Sequence, residues 1–466
     1  MIFIIILFFA IGMYIWGYKI PALFVFFFFL TSGFNLIPEE TLEIRLFSKG
    51  MDYAIVLMVG MIIIDSFCVK NYLKPDKLIW LILIFYAFLA VCIAYNRFAI
   101  DIGWKEIVRT ARYNILWIGY LVFRNLSKEQ LLGLMKCLFL TTVVCASLYI
   151  LQIIIDEHIL NKTTKVYVKL FGMKIPRFYN QPDMLHFFTF MAIYFNPYKG
   201  IFKIISTTIL VIALIGALHR SLFIAFIIAI SIGYVINLPR TKRIAILTSI
   251  SIIGFVFIVF WGYKFSNSRT IKDIALVATG NFADIDANDF DLEELQKSTF
   301  TFRIAHFLER NQYVLDHPTS MLTGAGLMTE DSKLTDTMFD FKVGLIEEAL
   351  SKTIQLDTGD ISYSILILRY GYVGTILVLI LYIFLMCYFY KNHEDPVGLF
   401  SFTYFVVVIL TSLFSYVLVQ PITFVLPLIT YSLLQKSKSK NDIIKSFTYV
   451  NDTGDSAASF QEFIKR

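Results

Sequence analysis

Apolar runs of about 17 to 25 residues recur from Met1 to about residue 434, separated by short polar connections. An α-helix of that length crosses a hydrocarbon core of about 30 Å, and without water to satisfy the backbone, helix is the spanning element such runs permit. Spans are expected near 1–16, 19–36, 50–69, 77–95, 105–123 and 131–155. More follow near 183–197, 201–218, 220–237, 243–262, 361–387, 397–415 and 420–434. The expected fold class is therefore an all-α polytopic membrane protein of about 12–13 transmembrane helices, with one large extracytoplasmic loop containing short helices. The run Met1 to Trp16 reads as a first span, because no basic residues precede it and no small-residue cleavage pattern follows.

Polar positions set the orientation. Lys70, Lys74 and Lys77 share one connection, and Arg124 with Lys128, Lys199 with Lys203, and Arg240, Lys242 and Arg243 mark every second connection after it. Basic residues in short loops are retained in the cytoplasm, so these connections and the tail with Lys436, Lys438, Lys440 and Lys445 are expected there. The same count puts residues 156–182 outside despite Lys162, Lys165, Lys169, Lys174 and Arg177. It divides the chain into an N-terminal bundle (1–262), a large extracytoplasmic loop (263–360), C-terminal spans (361–434) and a cytoplasmic polar tail (435–466). The loop opens on a solvated acidic stretch, Asp284 to Glu294. An amphipathic helix is expected from Ser298 to Leu315, with Phe300, Ile304, Phe307, Leu308, Val314 and Leu315 on one side, suited to lie on a membrane surface. Asp316-His317-Pro318 and Gly324-Ala325-Gly326 end it in turns.

Composition agrees with lipid as the solvent: 58% of the residues are hydrophobic and 16% charged. A net charge of +6 dispersed over 466 residues gives no nucleic-acid footprint. The five cysteines lie inside apolar runs, which offers no disulfide or zinc pattern, and no histidine has a partner at metal-ligand spacing.

Three polar features face the outside on this reading. Ile175-Pro176-Arg177-Phe178-Tyr179-Asn180-Gln181-Pro182 leads into a span, His219-Arg220-Ser221 interrupts two tightly joined spans, and Asp357-Thr358-Gly359-Asp360 opens another, with Tyr363 close behind. Arg177 alone is equally well explained by snorkelling to lipid phosphate, and Asp360 alone by helix capping. Arg220, pressed between two spans, needs a partner. Arg369 lies roughly 13 Å of helix rise inside its span and is either paired in the bundle or part of a site. Arg109 and Arg112, one turn apart, could form a basic stripe, but they and Asp65 read as structural.

These residues, in this order, resemble the O-antigen polymerases and ligases, bacterial membrane glycosyltransferases that act on undecaprenyl-diphosphate-linked glycans. Arg177, Asn180 and Pro182 match an Arg-led stretch opening a span; Arg220 and Ser221 match an Arg-Ser-like pair; Arg303, Pro318, Gly324 and Gly326 match the loop helix and its turn. Asp360, Tyr363, Gly371 and Gly374 match an Asp or His, an aromatic and two spaced glycines, and the Asp where ligases carry His favours a polymerase.

The resemblance implies a GT-C-like bundle in the inner membrane that polymerises lipid-linked repeat units without metal or cofactor. It implies the undecaprenyl-diphosphate-linked glycan as donor and acceptor, and a chain-length regulator protein as a partner. Catalysis falls to Asp360 and Arg220, and substrate binding to Arg177, Asn180, Arg303 and Tyr363. A ligase and a glycolipid flippase are the alternatives; the sequence shows neither the internal repeats nor the Gly/Pro-broken helices in matching halves that mark transporters.

Overall fold

In a computed structural model the chain is a helical bundle, described for residues 2–44, 47, 49–70, 72–161, 165–170, 173–239, 241, 299–347, 352–356 and 361–437. The expected span 243–262, the acidic stretch, Asp360 and the tail from residue 438 lie outside the described residues.

Helices α1 (Ile2–Ile15) and α2 (Lys19–Leu30) pack together and against α4 (Gly50–Cys68), with the short α3 (Glu39–Leu42) between. The expected run 19–36 stops early, because Ser32, Gly33, Phe34 and Asn35 all adopt positive φ. Asp76 caps α5 (Lys77–Phe98) by accepting from Ile79 N. The expected span 105–123 is not one helix: α6 (Trp104–Ala111) passes through a 3-10 turn, Arg112–Ile118, into α7 (Gly119–Asn125). A Ser127/Gln130 capping box starts α8 (Lys128–Ile155).

An antiparallel hairpin follows, β1 (Lys165–Leu170) with β2 (Met173–Phe178), in register Val166 opposite Arg177. It was not expected in an all-α chain; Val166, Tyr167 and Val168 supply its β-branched and aromatic residues, and Pro176 is tolerated in a two-stranded ribbon. Next come α9 (Leu185–Phe195), α10 (Gly200–Gly216) and α11 (Arg220–Ile236). The long loop contributes α12 (Thr299–Asp316), α13 (Pro318–Thr323), α14 (Lys333–Met338) and a second hairpin, β3 (Leu345–Glu347) with β4 (Lys352–Ile354). Helices α15 (Ser362–Lys391), α16 (Pro396–Ser412) and α17 (Pro421–Lys436) close the bundle, α16 packing on α9, α11 and α15.

Among the described residues four helices, α4, α5, α8 and α15, are long and apolar enough to cross a membrane. Shorter apolar helices of 10–17 residues accompany them. The connections gather at two ends. At one, Arg124 donates to Lys74 O at 2.8 Å, and the Tyr120 hydroxyl meets Asp76 and, at 2.9 Å, Gln435. There too, buried Asp65 accepts from Tyr14 at 2.7 Å and pairs with Lys19 at 3.4 Å. At the other, Asn161 N meets Asn35 O at 2.6 Å, Arg177 Nε donates to Ala217 O at 3.1 Å, and Ser362 N donates to Ser415 O at 3.1 Å.

Candidate functional site

A cavity of about 570 Å³ opens at the second end, lined by Lys49, Arg109, Arg112 and Arg369 against two acidic residues, Glu43 and Asp331. Asn114, Tyr370, Trp117 and Gln420 line it as well. Two loop residues, Thr329 and Asp331, reach its wall. Arg112 forms an ion pair with Asp52, whose carboxylate also caps α4 at Lys49 N, 3.1 Å away. Arg369 Nη2 donates to Met328 O at 3.2 Å. Among the described residues Arg109 has no ion pair.

The cavity lies between the two places where helices are interrupted. The 3-10 turn at 112–118 is held by Tyr86 of α5, whose hydroxyl stands 2.9 Å from Asn114 O and 3.0 Å from Ile115 O and accepts from Ile118 N at 3.2 Å. The second interruption is at Gly371, where α15 breaks at φ 63°, ψ −169°, a region open essentially to glycine alone. The break frees carbonyls of the preceding turn, and Leu368 O is met by the amide of Ala325 at 2.7 Å. In lipid such irregular backbone persists only where protein or a wet cavity satisfies it. The sequence reading missed both interruptions, since a single Gly in an apolar run reads as tolerated.

Of the residues to which the resemblance gives a role, those described fall at two corners outside this lining. In the first, Arg177 stacks on Tyr179 at 4.6 Å and bonds Ala217 O, while the Tyr179 ring lies 6.1 Å from that of His219. Arg220 follows as the first residue of α11; its side chain is outside the described set. Asn180 is buried, and both ends of its amide are engaged, with Gln152 Nε2 at 2.9 Å and with Asn161 O. In the second corner Arg303 lies over the Phe414 ring at 5.9 Å, and Ser412 Oγ donates to the Tyr363 hydroxyl at 3.1 Å. Arg303 and Tyr363 thus meet the same end of α16, and Ile361 begins the described chain just after Asp360.

The loop helix differs from its expected orientation. Helix α12 packs on α15, and its buried positions include Ala305, His306, Arg310 and Val314, whereas Leu315 is 43% exposed. Polar atoms decide this face. Arg310 is 0% exposed and donates to Glu309 at 2.6 Å and to Gln355 Oε1 at 2.8 Å, with its guanidinium 4.2 Å from the Phe341 ring. Burial pushes its pKa down to about 10, against the opposing pull of Glu309 and Glu330. His306 Nδ1 lies 3.1 Å from Ser364 Oγ, and burial, then the charge of Arg310, hold this histidine well below its ordinary pKa. Glu330 accepts from Gln355 N at 2.8 Å and Leu356 N at 2.7 Å, which fixes the segment entering 357–360.

Among the described residues no group of His, Cys, Asp and Glu is arranged to hold a metal ion. Comparison with models of known protein families and with curated proteins finds no match to this chain. The signal that could have found the cavity is the one-turn spacing of Arg109 and Arg112 together with Arg369 inside an apolar helix.

Proposed function

We propose that the protein is a multi-pass inner-membrane glycosyltransferase that polymerises undecaprenyl-diphosphate-linked oligosaccharide repeat units on the external face. The observation that carries this reading is the cavity where Lys49, Arg109, Arg112 and Arg369 converge. Guanidinium forks suit a diphosphate and the charge that develops on it as it leaves. A cavity of about 570 Å³ is large enough for a diphosphate with an attached sugar.

In the reaction an acceptor hydroxyl forms a bond to the donor's anomeric carbon as the bond from that carbon to the diphosphate oxygen breaks. The acceptor proton passes to a carboxylate, for which Asp360 is the candidate, and one-step displacement inverts the anomeric centre. Arg177, Arg303 and Tyr363 then line the approach of the glycan, Arg220 is the candidate to aid catalysis, and Asn180 braces the strand that carries Arg177. The cavity's end of the bundle is external, and the C-terminus is cytoplasmic.

Interrupted helices around a cavity are also what a glycolipid flippase would use, and this keeps transport as the second reading. Purified protein supplied with lipid-linked repeat units separates the two. A ladder of lengthened glycan that disappears in Arg369→Ala supports polymerisation. In a deletion strain, single-repeat caps agree with it; a full ladder stranded on the carrier lipid points to a ligase, and cytoplasmic accumulation to a flippase.

A further inference from the structure

We infer that Asn96, Gly324 and Gly371 are positioning residues that set Arg369 in the cavity, an inference resting on the head-group reading above. Gly371 stands two residues beyond Arg369, and a Cβ there would lie 2.7 Å from each of the carbonyl oxygens of Ser320 and Met321. Facing it, Gly324 has φ 81°, and its Cβ would lie 2.5 Å from the carbonyl carbon of Arg369 and 2.6 Å from the oxygens of Arg369 and Leu368. Two stretches of backbone therefore touch where each lacks a side chain.

The contact locks a register. With Ala325 N on Leu368 O, the chain continues to Leu327, whose amide donates to Asn96 Oδ1 at 2.7 Å. Asn96 is 0% exposed and is itself tied to Cys92 O at 2.7 Å. The next residue is Met328, and its carbonyl receives the Arg369 guanidinium. The broken helix thus holds the turn, and the turn's carbonyl aims the arginine that follows the freed Leu368. Asn96, Gly324 and Gly371 are not among the cavity-lining residues. Their effect on a ligand travels through Arg369 or through loss of the fold, and a double-mutant cycle separates these routes.

The measurement is calorimetric Kd for inorganic diphosphate on the full chain in nanodiscs. Arg369→Ala is expected to weaken binding by roughly tenfold or more, the loss of a charge-assisted hydrogen bond. Asn96→Leu, Gly324→Ala and Gly371→Ala are expected to weaken it severalfold alone and to change nothing further once Arg369 is alanine. Asn96→Leu keeps the test open where a glycine variant fails to accumulate, since it leaves the backbone contact intact. Equal weakening in both backgrounds, or no weakening by Asn96→Leu alone, overturns the inference while the head-group reading stands. Absence of diphosphate binding by the unaltered protein overturns that reading, and the inference with it.

Discussion

Asn114 Nδ2 donates to the Tyr370 hydroxyl at 2.8 Å, joining the 3-10 turn that interrupts one helical span to the residue before the break in another. The two irregular segments that border the cavity are thereby linked.

Replacing either partner has an unequal cost. Tyr370→Phe removes one hydrogen bond and leaves an amide that borders the cavity, a loss of about 0.5–1.5 kcal/mol. Asn114→Leu strands a buried phenol, and about 1–3 kcal/mol is expected. Thermal unfolding of the purified variants should rank Asn114→Leu below Tyr370→Phe; the reverse order would place the hydroxyl in contact with water.

Arg310 holds the helix of the long loop to the rest of that loop. Its guanidinium joins Glu309 to Gln355, and leaving that carboxylate without its buried cation is expected to cost about 3–5 kcal/mol. Arg310→Ala should open the segment 299–356 to protease at concentrations that leave the unaltered protein intact. Arg310→Lys should rescue little, because one ammonium does not reproduce the fork. Full protection in the lysine variant would reduce the site to a simple charge pair.

His306 makes the same helix sensitive to acid. It stays neutral in the fold while its unfolded counterpart takes up a proton below about pH 6.5, so the unfolded state binds more protons as pH falls. The contribution of His306 to stability is therefore full above that pH and is lost progressively as pH falls from there toward the depressed value. His306→Gln should flatten the dependence of melting temperature on pH between about 7 and 5. An unchanged slope in that variant would assign the titration to another group.

Asp52 pairs with Arg112 and, on the proposed reading, competes with the diphosphate for it. Asp52→Asn keeps an oxygen to cap Lys49 N and removes the carboxylate, so diphosphate should bind about two- to tenfold tighter, an effect on the order of 1 kcal/mol. Weaker binding in Asp52→Asn would show that the pair holds Arg112 in place instead of restraining it.

The apolar helices were legible because run length and the demand for internal hydrogen bonds decide them locally, and four of those described are long enough to cross a membrane. The helix from Thr299 was legible from the spacing of its apolar residues, but its buried face was not, since Arg310 and His306 find partners in Gln355 and Ser364 that sequence order does not bring near. Gly371 gave no sign of a break, because the carbonyls that exclude a side chain there belong to Ser320 and Met321. Arg109, Arg112 and Arg369 were each noticed, yet only packing makes them neighbours of one cavity. Arg177 and Arg303 lie at the same end of the molecule, in corners of their own.

The union of Ala325 with Leu368 has a consequence for biosynthesis. A chain emerges N-terminus first, so the turn at 324–326 is complete before the helix it serves. In the orientation proposed here that turn has already been translocated when α15 enters the bilayer. The exposed carbonyl of a discontinuous span then meets its amide on arrival, and the order of synthesis supplies the escort that the span lacks by itself.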